Sequence, residues 1–292
     1  MTNTTAALDK KTILAEFHDQ LRDSVAAVSK EHISHQQKAE KANALVSGVK
    51  EEILPRLRNV PIVHRGESAL LLQYCYSVAV LEYRHSVWPY EYMAFSRRIG
   101  ELWEAFCSTA WDFPSNKNMK RIDVPSFDLV LSVLMTRLKN NIGNNPASKE
   151  MLADINTLFE IIGEINMKED EVCAVAKQPH IIDFKSGFGS NEKGNMLRLD
   201  AVGKAYRVWN SQTRLLLLVR QNINNNYLEI IKKKGLWEVH TGSAAYDQIS
   251  EITGVDIQQI RARVIDWNAD LSPSFLHHLK NQTSDLTTYL MW

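Results

Sequence analysis

Asp183 and Lys185 are the residues of this chain whose types and spacing first indicate chemistry. They close a short apolar run and are separated by a single residue, Phe184. Because side chains alternate along a strand, Asp183 and Lys185 are expected on one face and Phe184 on the other. An acid and an amine would therefore share one polar edge of a sheet.

A second acid is expected to reach the same edge through a β-hairpin. Residues 172 to 175 have the composition of a short strand, and Gln178-Pro179 is typical of a turn. Opposed residues of an antiparallel pair point to the same face, so one register aligns Asp170 with Asp183. A slip of one residue selects Glu171 instead. We favour Asp170 as the first acid, and the sequence leaves Glu171 open.

Two carboxylates and a lysine at one strand edge suit phosphodiester hydrolysis. Carboxylate oxygens are hard ligands for Mg²⁺, and a bound Mg²⁺ polarises a phosphate and acidifies a water molecule. The ammonium group can orient that water or stabilise negative charge on the phosphorane. The pattern predicts that Asp170 and Asp183 bind Mg²⁺ and that Lys185 positions the attacking water.

This order of residues resembles the PD-(D/E)xK nuclease superfamily, most closely its type II restriction endonucleases. Its pattern is an acid, then about a dozen residues, and then a (D/E)xK triplet that ends an apolar strand. Asp170, Asp183 and Lys185 match the first acid, the second acid and the lysine. The chain departs from the pattern in lacking a proline before the first acid. The resemblance implies a Mg²⁺-dependent, site-specific deoxyribonuclease that cuts double-stranded DNA. It also implies a homodimer, because a two-fold protein matches a palindromic site.

Restriction enzymes of this superfamily commonly carry a helix of the form GxxxExF before the core. Gly100, Glu104 and Phe106 match that form. The resemblance therefore makes Glu104 a candidate fourth acid, which would act as a further metal ligand or as an acid that contacts a metal ligand. A glutamate exposed on an amphipathic helix explains the same residue equally well.

A polar loop, a helix and a buried strand follow Lys185 in that order. Residues 186 to 195 are rich in glycine and polar residues, residues 196 to 210 have helical apolar spacing, and residues 215 to 219 form an unbroken apolar run. The loop and the start of the helix carry four residues predicted to reach the DNA backbone, namely Ser186, Asn191, Lys193 and Arg198.

Other interpretations of this segment are weaker. Residues 189 to 194 fit the G-x-x-x-x-G half of a phosphate-binding loop, but Asn195-Met196 follows where a lysine and a hydroxyl residue are required. An isolated DxK triplet is most often an exposed ion pair. Two functional alternatives stay open: a nonspecific, repair or defence nuclease with the same chemistry, and a DNA-binding module that does not cleave.

The expected fold is α+β or α/β, with a restriction-endonuclease-like mixed sheet flanked by helices and a large helical N-terminal region. Residues 1 to 165 are predicted to be mainly helical and to serve in dimerisation or as a DNA clamp, part of them packing on the core. Residues 166 to 292 are predicted to hold the catalytic core and C-terminal helices. Residues 227 to 231 and 236 to 239 are expected to add further strands.

The composition is that of a globular protein without a global basic character. Lys plus Arg equal Asp plus Glu at 34 each, so any DNA-binding field must be local. The three cysteines are widely spaced and form neither a zinc motif nor a disulfide framework. The absence of a signal-like N-terminus and of an apolar run near 18 residues predicts a cytoplasmic protein without a membrane segment.

Overall fold

The structure is a computed structural model, and it describes residues 7–143, 146–187, 192–222 and 226–292. Twelve α-helices lie in this described part of the chain. They are α1 (Lys10–Lys30), α2 (His35–Ile53), α3 (Ile62–Val87), α4 (Tyr92–Asp112), α5 (Phe127–Ile142), α6 (Pro146–Ile162), α7 (Glu192–Trp209), α8 (Asn226–Lys234), α9 (Ser243–Thr253), α10 (Ile257–Val264), α11 (Trp267–Asp270) and α12 (Pro273–Lys280). Short 3₁₀ helices occupy Leu54–Asn59 and Leu286–Leu290.

One mixed β-sheet is present in the described residues. Its five strands are adjacent in chain order: β1 (Met119–Arg121), β2 (Glu171–Val175), β3 (Gln178–Lys185), β4 (Arg214–Val219) and β5 (Glu238–Thr241). Strand β2 is antiparallel to both of its neighbours, β1 and β3, whereas β3, β4 and β5 run parallel to one another. The predicted α+β class with a mixed sheet is confirmed at this level.

The chain divides into two compact units. The helical unit contains residues 1–116 and 246–292, and the α/β unit contains residues 117–245 with the whole sheet. The boundary placed by sequence after residue 165 falls inside the α/β unit, between α6 and β2. The C-terminal helices assigned by sequence to the catalytic core belong to the helical unit, apart from the first turn of α9.

Helix α1 of the helical unit follows the sequence pattern closely. The Asp9 carboxylate accepts a hydrogen bond from the Thr12 backbone N–H and so caps the first turn. The helical stripe of apolar residues is buried along its whole length, and it consists of Ile13, Phe17, Leu21, Val25 and Val28. Burial of this stripe supplies the driving force for packing the helix.

The α/β unit is built around two strands buried on both faces. Apolar residues of β3 and β4 lie in this core, and helix α7 packs against it. Gly203 lets α7 approach closely, because a Cβ at this position would lie 2.7 Å from the Trp237 indole nitrogen. That indole N–H donates to the Leu199 carbonyl at 2.8 Å. The middle of α7 is thereby held against Trp237, the residue that directly precedes β5.

Two elements differ from the sequence prediction. The hairpin turn lies at Ala176-Lys177 and not at Gln178-Pro179, which belong to β3. Pro179 is tolerated there because the β3–β4 pairing begins only at His180, so no β4 partner needs its missing N–H. Residues 227 to 231 form part of α8 rather than a strand.

No described helix combines the length and the apolar character needed to cross a bilayer. The three cysteines, Cys75, Cys107 and Cys173, are buried and form no disulfide bond.

Candidate active site

The β2–β3 hairpin sets the register that brings the acids together. Ala176 and Lys177 both adopt positive φ, at 49° and 73°, as a two-residue turn between right-twisted strands requires. Glu171 then pairs with Ile182, and the same register extended by one residue sets Asp170 opposite Asp183. This is the register that we favoured from sequence.

Asp170 is fixed by the backbone of the opposite strand. Its Oδ2 accepts a hydrogen bond of 2.6 Å from the backbone N–H of Phe184. Phe184 lies between the two charged residues of the DxK triplet. Glu171, in contrast, forms an ion pair with Arg121 of β1, with Nη2 2.9 Å from Oε1. The structure therefore separates the two upstream acids, with Asp170 at the triplet and Glu171 tied to the neighbouring strand.

Asp183 lies at the centre of the cluster and is 1% exposed. Lys185, two residues further along β3, donates its Nζ to Oδ1 of Asp183 and to the Phe184 carbonyl at 3.0 Å. The two side chains share one face as strand alternation requires, and Phe184 is buried in the core. A carboxylate and an ammonium group are thus held in direct contact near the end of a buried strand.

Two further charged residues complete the cluster. Glu169, which sequence reasoning missed, has a side chain with no exposure and forms an ion pair of 2.9 Å with Arg198 of α7. The same guanidinium also contacts Oδ2 of Asp183. The site consequently holds three acids, Glu169, Asp170 and Asp183, together with two cations.

The cluster raises the pKa values of Glu169 and Asp170 and lowers the pKa of Asp183. Burial and a hydrogen bond with Asp183 raise the pKa of Glu169 to about 8. Burial opposes ionisation of Asp183, but its hydrogen bond with Glu169 and the charges of Lys185 and Arg198 outweigh that effect and lower its pKa. Burial and the Asp183 charge raise the pKa of Asp170. Asp183 is therefore the acid of this pair that stays ionised most readily, and Glu169 is the one that is protonated more readily.

The donor types of the cluster, carboxylate oxygens, are those that Mg²⁺ takes. Mg²⁺ prefers oxygen ligands and is usually held by one or two carboxylates, with waters and substrate phosphates filling the other positions. Asp170 and Asp183 supply carboxylate oxygens from facing positions of the hairpin. In the described chain, no group of three or more His, Cys, Asp or Glu residues is arranged to hold a metal ion by itself. The arrangement suits a cation completed by substrate oxygens rather than a closed protein cage.

Three of the four residues predicted to contact DNA lie in the described part of the chain. Ser186 follows Lys185 directly, and its Oγ accepts a hydrogen bond of 3.1 Å from Arg220 Nε. Lys193 is exposed near the start of α7. Asn191 lies outside the described residues. Arg198 forms ion pairs with Glu169 and Asp183, and its contact with DNA stays a prediction.

Glu104 belongs to the helical unit. It is a half-buried residue of α4, whereas the acids of the hairpin all lie in the α/β unit. Its role as a fourth acid stays a prediction that comes from the resemblance alone.

Comparisons with known proteins identify no relative. No family model, no curated protein and no solved structure matches the chain. The functional argument therefore depends on the chemistry of the hairpin and on the resemblance of its motif.

Proposed function

We propose that this protein is a Mg²⁺-dependent endonuclease that hydrolyses phosphodiester bonds of double-stranded DNA at specific sites, in the manner of type II restriction enzymes. The observation that carries the proposal is the hairpin register, which sets Asp170 opposite Asp183 with Lys185 in contact with Asp183. A buried acid in contact with an amine at one strand end costs folding free energy, and such clusters concentrate at functional sites.

In this proposal, Asp170 and Asp183 hold Mg²⁺, which when bound polarises the scissile phosphate and lowers the pKa of a water molecule. Asp183 does so as an ionised carboxylate, because the surrounding positive charge keeps its pKa low. The ammonium group of Lys185 donates a hydrogen bond to the Phe184 carbonyl, which holds it beside Asp183. In this position it would orient the attacking water. Hydrolysis then joins the water oxygen to phosphorus and breaks one ester bond.

Double-stranded DNA and a homodimer are part of the proposal. One copy of the chain carries one such hairpin among its described residues, whereas a double-strand break requires cleavage of two strands. A two-fold dimer would supply one hairpin to each strand. Exposed Lys193 near the start of α7 is a candidate contact to the DNA backbone.

The experiment incubates the purified protein with a long DNA of known sequence, with Mg²⁺ or with EDTA, and separates the products on a gel. Discrete fragments that form only with Mg²⁺ are expected, and sequencing of their ends would give the site and the stagger. The Asp183→Asn variant, purified identically, controls for a contaminating nuclease and should leave the DNA intact.

A Mg²⁺-dependent smear in place of discrete fragments would favour a nonspecific nuclease with the same chemistry. Intact DNA across many substrates, combined with measurable DNA binding, would favour the binding module that does not cleave. Cleavage that persists in Asp183→Asn would remove the hairpin from the mechanism.

A further inference from the structure

Arg198 contacts two acids of the hairpin with a single guanidinium group. Its Nη1 donates to Oε1 of Glu169 at 2.9 Å, and its Nη2 donates to Oε2 of the same residue at 3.3 Å. The same Nη2 also forms an ion pair with Oδ2 of Asp183. One cation therefore bridges a residue that precedes β2 and a residue of β3.

Exposure distinguishes the arginine from its partners. The side chains of Glu169 and Asp183 are 0% and 2% exposed, whereas that of Arg198 is 36% exposed. Buried carboxylates are stable as ions only when they are paired. Arg198 thus supplies counter-charge to two buried acids and is itself the partner that reaches solvent.

Both carboxylate oxygens of Asp183 are already engaged by cations. Lys185 takes Oδ1 and Arg198 takes Oδ2. A divalent metal bound to Asp183 needs access to one of these oxygens. Arg198 can release Asp183 and keep its two hydrogen bonds to Glu169. The guanidinium therefore still has a partner after it has lost Asp183.

We propose that Arg198 is a counter-cation that competes with the divalent metal for Asp183, and that Glu169 is the carboxylate that retains Arg198 when the metal binds. This inference rests on the proposed function, in which Asp183 is a metal ligand. Arg198 is then a positioning residue that sets the metal affinity of the site, and Glu169 acts through Arg198.

The test measures binding of Mn²⁺ in the absence of DNA, with free Mn²⁺ counted by electron paramagnetic resonance. Mn²⁺ shares the preference of Mg²⁺ for oxygen ligands. Arg198→Met should bind Mn²⁺ about tenfold more tightly than the natural chain, because a unit charge in contact with the ligand oxygen is removed. Arg207→Met is the matched control, since Arg207 lies on the same helix and donates instead to the Ser211 carbonyl. Its Mn²⁺ affinity should be unchanged.

A second variant guards against misfolding. Arg198→Met alone leaves two buried acids without their shared cation, whereas Glu169→Gln combined with Arg198→Met removes one acid together with that cation. The double variant should fold and should also bind Mn²⁺ more tightly. Affinity equal to or below that of the natural chain in the folded variants would overturn the competition.

Asp183→Asn separates this inference from the proposed function. Loss of Mn²⁺ binding in that variant is expected, because Asp183 would be a ligand in either case. If Asp183→Asn removes Mn²⁺ binding and the Arg198 variants do not strengthen it, the metal site stands and the role of Arg198 fails. If Asp183→Asn binds Mn²⁺ with unchanged affinity, the metal site itself fails.

Discussion

The two units of the molecule each bury a charged network, and the two networks differ in how their charges are balanced. In the helical unit, Asp270 accepts from the Tyr74 hydroxyl at 2.7 Å and pairs with Lys10 at 2.8 Å. The Tyr74 ring packs edge-on against Trp267 at 4.9 Å. A single acid here has one cation and one hydroxyl donor inside aromatic packing.

The network of the α/β unit instead crowds three acids against two cations. Glu169, Asp170 and Asp183 all lie at one end of the hairpin, and burial, the hydrogen bond with Asp183 and the charge of Asp183 raise the pKa of Glu169 to about 8. Packing alone gives no reason to concentrate like charges in a buried position, because each costs free energy to desolvate. The contrast supports the proposal that the network of the α/β unit serves a site, whereas the network of the helical unit stabilises its fold.

The largest expected effect separates Asp170 from Glu171. Asp170→Asn should lower the rate of DNA cleavage by roughly three orders of magnitude, because a lost metal ligand removes several kcal/mol of transition-state stabilisation. Glu171→Gln should retain cleavage within a few-fold, since Glu171 pairs with Arg121 instead. Single-turnover rates of the two variants at saturating protein measure the difference. The reverse ranking would mean that Glu171 is the first acid.

Lys185→Met tests the amine of the same network. Its single-turnover cleavage rate should fall by about 10²–10⁴-fold, as is typical when a group that handles the attacking water is lost. DNA affinity, measured by fluorescence anisotropy without Mg²⁺, should stay nearly unchanged. Lys193→Ala is the control with the opposite profile, because an exposed lysine that contacts phosphate contributes to affinity and to its salt dependence. Weak DNA binding by Lys185→Met would contradict a role confined to chemistry.

Tyr74→Phe tests the network of the helical unit. The hydroxyl donates to Asp270 and accepts from the Asp266 backbone N–H at 3.0 Å, and burial raises its pKa so that it stays a protonated donor. Its loss should lower the free energy of unfolding by about 1–3 kcal/mol, since buried partners are left unsatisfied. Tyr92→Phe is the matched control, because Tyr92 is exposed and its hydroxyl forms a hydrogen bond of 2.9 Å with the Tyr289 hydroxyl. Urea unfolding measures both, and equal values for the two would contradict a stabilising network.

A smaller effect is expected from pH. Burial, followed by the neighbouring His278 and Arg84, lowers the pKa of His85 to about 4 from an ordinary value near 6.5. The unfolded chain therefore takes up a proton at His85 before the folded chain does, so stability should decrease as pH falls from about 6.5 toward 4. His85→Gln should reduce this slope. Urea midpoints at several pH values measure it, and an unchanged slope would mean that other groups dominate.

Much of the hairpin was predictable because strand alternation and antiparallel register are local rules. They place Asp183 and Lys185 on one face and give Asp170 as the facing acid. Glu169 escaped the same rules because it precedes β2, which begins at Glu171, and alternation continued from Asp170 would place residue 169 on the opposite face. Its side chain meets Arg198, which is 29 residues away, and no sequence spacing encodes that contact.

The errors in element type have equally local causes. Leu228 and Ile231 are three residues apart, which fits a helix, but five residues are too short to distinguish a helix from a buried strand. Pro179 suggested the turn because proline is rare inside sheets, yet it lies where β3 has not reached β4. The division into units depends on which segments pack together, and residues 246–292 return to the first part of the chain without a sequence signal.

The most direct test of the central claim compares the same substitution at the central acid of each network. Asp183→Asn and Asp270→Asn each remove one buried negative charge, and for both variants the free energy of unfolding and the Mg²⁺-dependent cleavage rate are measured. Asp183→Asn should abolish cleavage by the folded protein, because it removes the proposed metal ligand. Asp270→Asn should lower stability and leave the cleavage rate of the folded protein intact. Equal loss of stability in both variants, with cleavage retained in Asp183→Asn, would contradict a catalytic role for the hairpin.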